Sequence, residues 1–393
     1  MSVPDCTYCL GTRGDTALTQ EHVWPAALGG RLAPPTFQTP RVCKTCNNLA
    51  GQFVDAAYLK SWFVKNEAIS AQQLFDPDQP RASSLMYMGF ENSFPTAEGE
   101  VCERWIGPAG DHVYHIHTKD DARWETVAGG DFIKRRKSDG GRAYIVLTSN
   151  VEYWAVTSLL SFAAWFPFAT RRCITQIGGT VPDFGVMWRD QEPVSEREAT
   201  EIAYIRGRPD GEQVLANIPV QVDFADRFLA KLSLGLADSI LGPAAVRSPY
   251  ADHLRTALWT RDPEVRAALP IKGVGFWAGD QQLSAVAQAL HAPGAWTILL
   301  WAQREALTCV IVSPGGRPMM TVVSDDSSLW PEHIGSTYGQ GVVHIAIPER
   351  QEWLGPIPLA NVIATKLGNM RDATLARLDA MREEGKRVPA KLG

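Results

Sequence analysis

Four cysteines stand at metal-ligand spacing: Cys6 with Cys9, and Cys43 with Cys46, each pair separated by two residues. A C-x-x-C on a tight turn presents half of a tetrahedral zinc site, and two halves close one site. Sulfur then fills every coordination position, so the Zn²⁺ expected here is structural and holds the fold. Thirty-three residues lie between Cys9 and Cys43, more than a simple zinc ribbon needs, and the reactive groups are expected in that insert. The other cysteines, Cys102, Cys173 and Cys309, are scattered. An odd total of seven argues against a disulfide framework and for a reducing, cytoplasmic setting.

The insert carries Thr19-Gln20-Glu21-His22-Val23-Trp24-Pro25 and then Leu28-Gly29-Gly30, and the second cysteine pair runs straight into Asn47-Asn48. A metal-assisted hydrolytic site needs a base for water, a cation for developing negative charge, and a rigid frame. Histidine is the side-chain type suited to proton transfer near neutral pH, so His22 is the natural base. An isolated Glu-His pair is ordinarily surface polarity; its place between two zinc knuckles is what singles this one out. Arg31, Arg41 and Lys44 flank the pair and are the candidates for phosphate contact.

In order, C-x-x-C, E-H-x-x-P, G-G and C-x-x-C-N resemble the HNH endonuclease superfamily over about residues 6 to 55. The resemblance implies a ββα-metal fold, a two-stranded hairpin and a helix around one divalent metal, and hydrolysis of a nucleic acid, with DNA favoured by analogy and RNA left open. It also implies that Glu21 reaches the metal and that Asn47, at the start of the helix, completes the site. Amide and carboxylate oxygens suit Mg²⁺ or Mn²⁺ better than zinc. Asn47 also reads as a helix N-cap, and Asn48 is the neighbouring candidate. The middle Asn of the family name falls about nine residues before Asn47, where this chain has Gln38 and Thr39, with Gln38 read as a hydrogen-bonding support for the histidine. Asp55, roughly 80° around a regular helix from Asn47, reads as a surface or packing acid.

These groups need elements to position them. Apolar Leu49, Phe53, Ala57, Leu59, Phe63 and Val64 predict one helix from Asn47 to about Ala71, and the run Phe75-Asp76-Pro77-Asp78-Gln79-Pro80 then breaks the chain. Residues 1–75 are accordingly read as the nuclease module and 76–393 as a larger α+β region, divisible into about 76–220 and 221–393. Alternating runs at Val113–His117 and Ala143–Leu147 predict strands. Helices are predicted at Val151–Phe166, at Phe224–Leu241 with Phe224, Phe228, Leu232 and Leu236 four apart, and from Leu359 to Glu384. Runs at Val274–Trp277, Trp296–Trp301, Thr308–Val312, Met320–Val323 and Val342–Ile345 predict an antiparallel sheet. The fold class is therefore α+β.

With a net charge of −5 the chain has no overall field that would draw it to phosphate, so any nucleic-acid contact must be local. Lys134-Arg135-Arg136-Lys137, with Arg142 nearby, is the one dense basic cluster and reads equally as a solvated turn. His115 and His117 share a strand face, with His112 close, and read as exposed strand histidines rather than ligands. Residues 1–20 show no export signal, and Val151–Thr170, interrupted by Glu152, aromatic and hydroxyl side chains and Pro167, reads as a buried helix rather than a membrane span. Two other readings compete with the nuclease: a zinc-knuckle module that binds nucleic acid or protein without cutting it, and a defence or toxin effector gated by its C-terminal region.

Overall fold

The computed structural model describes residues 6–13, 17–107, 109–118, 141–149, 151–175, 194–208, 223–274 and 281–387. The strands are, in chain order, β1 (Leu18–His22), β2 (Gln38–Cys43), β3 (Met86–Phe90), β4 (Glu100–Ile106), β5 (His112–Thr118), β6 (Arg142–Leu147), β7 (Thr170–Thr175), β8 (Gly273–Val274), β9 (Trp296–Gln303), β10 (Ala306–Val312), β11 (Pro318–Ser324), β12 (Val342–Ile347) and β13 (Glu352–Pro358). They form a two-stranded hairpin, a six-stranded sheet and a five-stranded sheet. The chain divides into two units, neither continuous in sequence: residues 1–59, 70–76 and 222–387 make the first, and 60–69, 77–221 and 388–393 the second.

In the first unit the six-stranded sheet runs β13-β12-β9-β10-β11-β8 and is antiparallel throughout. Apolar alternation gives it two buried faces. One face, with Leu299, Val310, Val343 and Ile345, packs under helices Gln281–Leu290, Leu359–Lys366 and Ala373–Arg387 through Leu283, Val362 and Leu378. The other face receives the N-terminal hairpin, as Trp24 meets Trp296 edge-on at 5.8 Å and Phe37 meets His344 at 5.1 Å. Helix Asp223–Leu236 also packs on this side, where Ser233 and Thr321 share a hydroxyl hydrogen bond of 2.7 Å.

In the second unit β3 to β7 lie in sequence order, antiparallel except for the β6–β7 pair. A parallel pair needs a crossover, and helix Glu152–Trp165 supplies it. Leu159, Phe162 and Trp165 of that helix cover one face of the sheet, and Ile205 of helix Glu196–Arg206 lies on the other. The predicted buried helix is thus in place, and among the described residues no helix is long and apolar enough to cross a membrane.

Three expectations change. The helix after the second cysteine pair begins at Lys44, so Cys43 is its N-cap and Asn47 lies inside it. That helix is not one piece to Ala71: Lys44–Ala50 passes into a wider π turn, Gly51–Asp55, and a separate helix, Trp62–Phe75, follows. The C-terminal helix is likewise two, Leu359–Lys366 and Ala373–Arg387. The basic run Lys134–Lys137 and most of Val274–Trp277 lie outside the described residues.

Candidate functional site

The four cysteine sulfurs converge. Backbone bonds from Cys9 N and Leu10 N to Cys6 O, 3.2 and 2.8 Å, tighten the first knuckle. In the second, Cys43 Sγ accepts from Cys46 N at 3.4 Å, and Cys6 Sγ accepts from Cys43 N at 3.3 Å. All four thiols are buried and undisulfided, and their sulfurs lie within 4.8 Å of one another. Cys9 and Cys43 are 3.9 Å apart; four sulfurs at a Zn–S bond of about 2.3 Å stand roughly 3.8 Å apart in a tetrahedron. The donor set fits zinc. The hydrogen bond from Cys46, with those from neighbouring backbone amides, pulls the Cys6 thiol down to about 5, whereas burial pushes Cys43 up to about 11. Crowded thiols without a cation ionise one at a time.

The helix N-terminus and hairpin are locked to this cluster. Thr7 N donates to Arg41 O at 2.8 Å and Lys44 N to Ala17 O at 2.9 Å. The Pro25–Gly30 segment folds under β1, with Leu28 N and Gly30 N both donating to Pro25 O and Trp24 Nε1 donating to Leu28 O at 2.7 Å. A Cβ on Gly30 would stand 1.9 Å from Trp24 O. The second glycine of the motif is therefore a packing requirement.

β1 and β2 pair antiparallel, with a bulge between Thr19 and Glu21, and set Glu21 opposite Thr39 and His22 opposite Gln38. Alternation sends Glu21 and His22 to opposite faces. On the His22 face Gln20 Nε2 donates to Gln38 Oε1 at 3.1 Å, and Gln38 Nε2 to Ala33 O at 2.8 Å. Asn47 Nδ2 donates to Thr19 Oγ1 at 2.9 Å and to Gln20 O at 3.1 Å, which ties the helix to the hairpin edge. His22 Nδ1 is buried and has no hydrogen-bond partner among the described residues. Arg31, Lys44 and Asn48 are exposed.

The Glu21 face is dry and ionic. Lys231, fully buried on helix Asp223–Leu236, places Nζ 2.6 Å from Glu21 Oε1, 2.7 Å from Asp55 Oδ2 and 3.3 Å from His22 O. Tyr8 also donates to Glu21 Oε1, at 3.5 Å. Burial raises both carboxyls above their usual range. Burial alone would lower the ammonium, yet Asp55 and Glu21 hold it above its ordinary value. Two acids share one cation, so the cluster keeps excess negative charge and the acids bear the cost. Beside it Thr39 donates to Asp238, and Arg41 Nε donates to Asp238 Oδ2 at 3.2 Å. Phe228 stacks on Tyr58 at 3.9 Å and meets Trp24 at 6.1 Å. A Cβ on Gly235 would lie 2.6 Å from Val23 Cγ2, so only glycine lets the helix come this close.

Sequence reading placed the four cysteines together, as the structure does, and took Gln38 as a hydrogen-bonding support for the histidine, whereas Gln38 bonds to Gln20 and the Ala33 carbonyl. It did not foresee Lys231, Gly235 or Asp238, although Lys231 and Asp238, seven apart, share a helix face with Phe228. Asp55 is an ion-cluster member because the π turn brings it toward Lys231. Arg142, of the proposed basic cluster, is committed to Glu100 and Glu201.

Residues 6–63 match a family model described as HNH endonuclease. No curated protein and no solved structure matches the chain. An HNH endonuclease domain, with its four-cysteine cluster, is therefore the N-terminal element of this protein, and it points to nuclease chemistry on a nucleic acid.

Proposed function

We propose that the protein is a metal-dependent endonuclease that hydrolyses phosphodiester bonds, with DNA as the favoured substrate and His22 as the general base. The observation that carries this reading is the imidazole itself: its Nδ1 is claimed by no described residue, on the hairpin face that also holds Asn47, Gln20 and Gln38. The ring is half-buried with Nδ1 enclosed, so the proton from water goes to its other nitrogen, and the β1–β2 frame fixes the ring's position. Arg31 and Lys44 are exposed and would meet backbone phosphates; Arg41 would first have to loosen its pairing with Asp238.

Mg²⁺ or Mn²⁺ bound here would supply charge neutralisation at the phosphoryl and leaving oxygens. Asn47 spends its amide nitrogen on the hairpin, and its oxygen is the donor such an ion takes. Glu21, the acid assigned by resemblance, does not fit as it stands, because Lys231 holds its Oε1 on the opposite face. Its service as a ligand requires Lys231 to release it.

The same ion pair favours a second reading, a module that binds nucleic acid without cutting. Plasmid incubated with the full-length protein and Mg²⁺ or Mn²⁺, beside His22→Ala, separates the two. Nicking that the variant loses supports the nuclease. Retained plasmid binding with no nicking in either metal would leave only the binder.

A further inference from the structure

The second unit holds a cluster of a different kind. β4 and β5 pair with Glu103 directly opposite His115, and His117, two residues along β5, returns to the same face. The sequence reads these histidines as exposed; they are not. Relative exposure is 1% for Glu103, 3% for His115 and 5% for His117, beneath a face that also carries Trp105 and Phe166. The imidazoles stack at 4.9 Å, and Phe166 packs on His115 at 4.8 Å. Three titratable groups buried together are stable only when they are paired or coordinated.

The spacing suits an ion. Glu103 Oε2 is 3.3 Å from His115 Nδ1, Glu103 Oε1 is 3.4 Å from His117 Nε2, and one donor atom from each residue lies within 4.8 Å of the others. Nitrogen and oxygen donors about 2.0–2.2 Å from a tetrahedral metal stand roughly 3.4 Å apart. The outer partners of such a site are present too. His117 Nδ1 meets the carbonyl of Thr118 at 3.0 Å and must donate to it, so the neutral ring turns the lone pair of Nε2 toward a carboxylate oxygen. In that neutral state two lone pairs face each other, and a cation between them would remove the repulsion. Trp105 Nε1 donates to Glu103 Oε2 at 3.1 Å and fixes the carboxylate, as outer-shell donors do at metal centres.

We infer that Glu103, His115 and His117 form a second metal site, a two-imidazole, one-carboxylate centre for a divalent first-row transition ion, separate from the four-cysteine cluster. Imidazole donors favour Zn²⁺, Fe²⁺ or Co²⁺ over Mg²⁺. Three protein ligands leave at least one coordination position for water.

Cobalt distinguishes the two centres, because only a thiolate site gives an intense sulfur-to-cobalt charge-transfer band. Full-length protein with zinc at its cysteines should take up one further equivalent of Co²⁺, with weak ligand-field absorption and no charge-transfer band. Uptake should persist in Cys43→Ser, weaken by at least about 100-fold in Glu103→Gln and vanish in His117→Gln. Uptake by the two triad variants equal to wild type would overturn the site, as would no uptake beyond the cysteine cluster, the result expected of a carboxylate bridging a protonated imidazole. Should the variants misfold, wild type alone decides: X-ray absorption of the added cobalt must show imidazole scattering, and a sulfur-only shell refutes the proposal.

Discussion

The two faces of the β1–β2 hairpin solve opposite problems with neighbouring residues. Glu21 faces inward, where the ammonium of Lys231 and the phenol of Tyr8 meet it and water is excluded. His22 faces the amide array of Gln20, Gln38 and Asn47 at the rim of the module. One side locks the hairpin to a distant helix; the other holds an imidazole whose Nδ1 no described residue bonds. A strand places two such different environments one residue apart because its side chains alternate.

The largest test removes what both faces share. Cys43→Ser should cost the protein its structural zinc, one equivalent by elemental analysis, together with the cooperative unfolding of the module, since structural zinc sites carry about 10–16 kcal/mol of apparent binding energy. A zinc-free protein with an unchanged thermal transition would sink the assignment.

The next two variants should pull the faces apart. His22→Ala is expected to slow nicking by about 10²–10⁴-fold while leaving the denaturation midpoint close to wild type. Lys231→Met should do the reverse to stability, lowering it by about 3–5 kcal/mol in urea titration, because it strands two buried carboxylates. Restoring much of that loss with Glu21→Gln in the same chain would confirm the ion cluster as its source. If Glu21 also serves the cation, Lys231→Met should shift the metal-concentration dependence of nicking, and Glu21→Gln alone should abolish that response.

The smallest effect concerns the seam between hairpin and sheet. Burial holds His344 down to about 4, and its Nδ1 accepts from Trp353 Nε1 at 3.3 Å beneath Phe37. Its folded value lies below the ordinary 6.5, so the neutral ring favours the folded state. That contribution is complete above pH 6.5 and drains away as pH falls toward 4, by about 3 kcal/mol over the window. Equilibrium denaturation from pH 7 to 4 should show this loss in wild type and a flatter profile in His344→Phe; identical profiles would remove His344 from the seam.

Much of the site was legible because it is local. The cysteine pairs, the Glu-His step and the paired glycines each encode a turn or a strand end within a few residues. The long strands β9 to β12 showed in their apolar runs, and helix Glu152–Trp165 in its composition. What escaped involves partners remote in sequence. Lys231 bonds to His22 O across 209 positions, and Asp238 meets Thr39 across 199. Periodicity marked the apolar stripe of their helix and was silent about the polar groups beside it. The breaks in the two long helices escaped as well, because apolar spacing continues across a π turn or a short loop that the backbone does not follow as a regular helix.

By itself the sequence determined that residues 6–63 hold four thiols and a Glu-His step in the order of an HNH endonuclease domain, since short-range spacing decides which side chains a turn or strand can present. Tertiary structure alone decided which face of the hairpin is closed by ion pairing. It buried Glu21 against Lys231, left His22 Nδ1 without a hydrogen-bond partner among the described residues and drew Glu103 across to His115 and His117. Burial and long-range pairing set the charge and availability of those groups, and neither is written in the order of neighbouring residues.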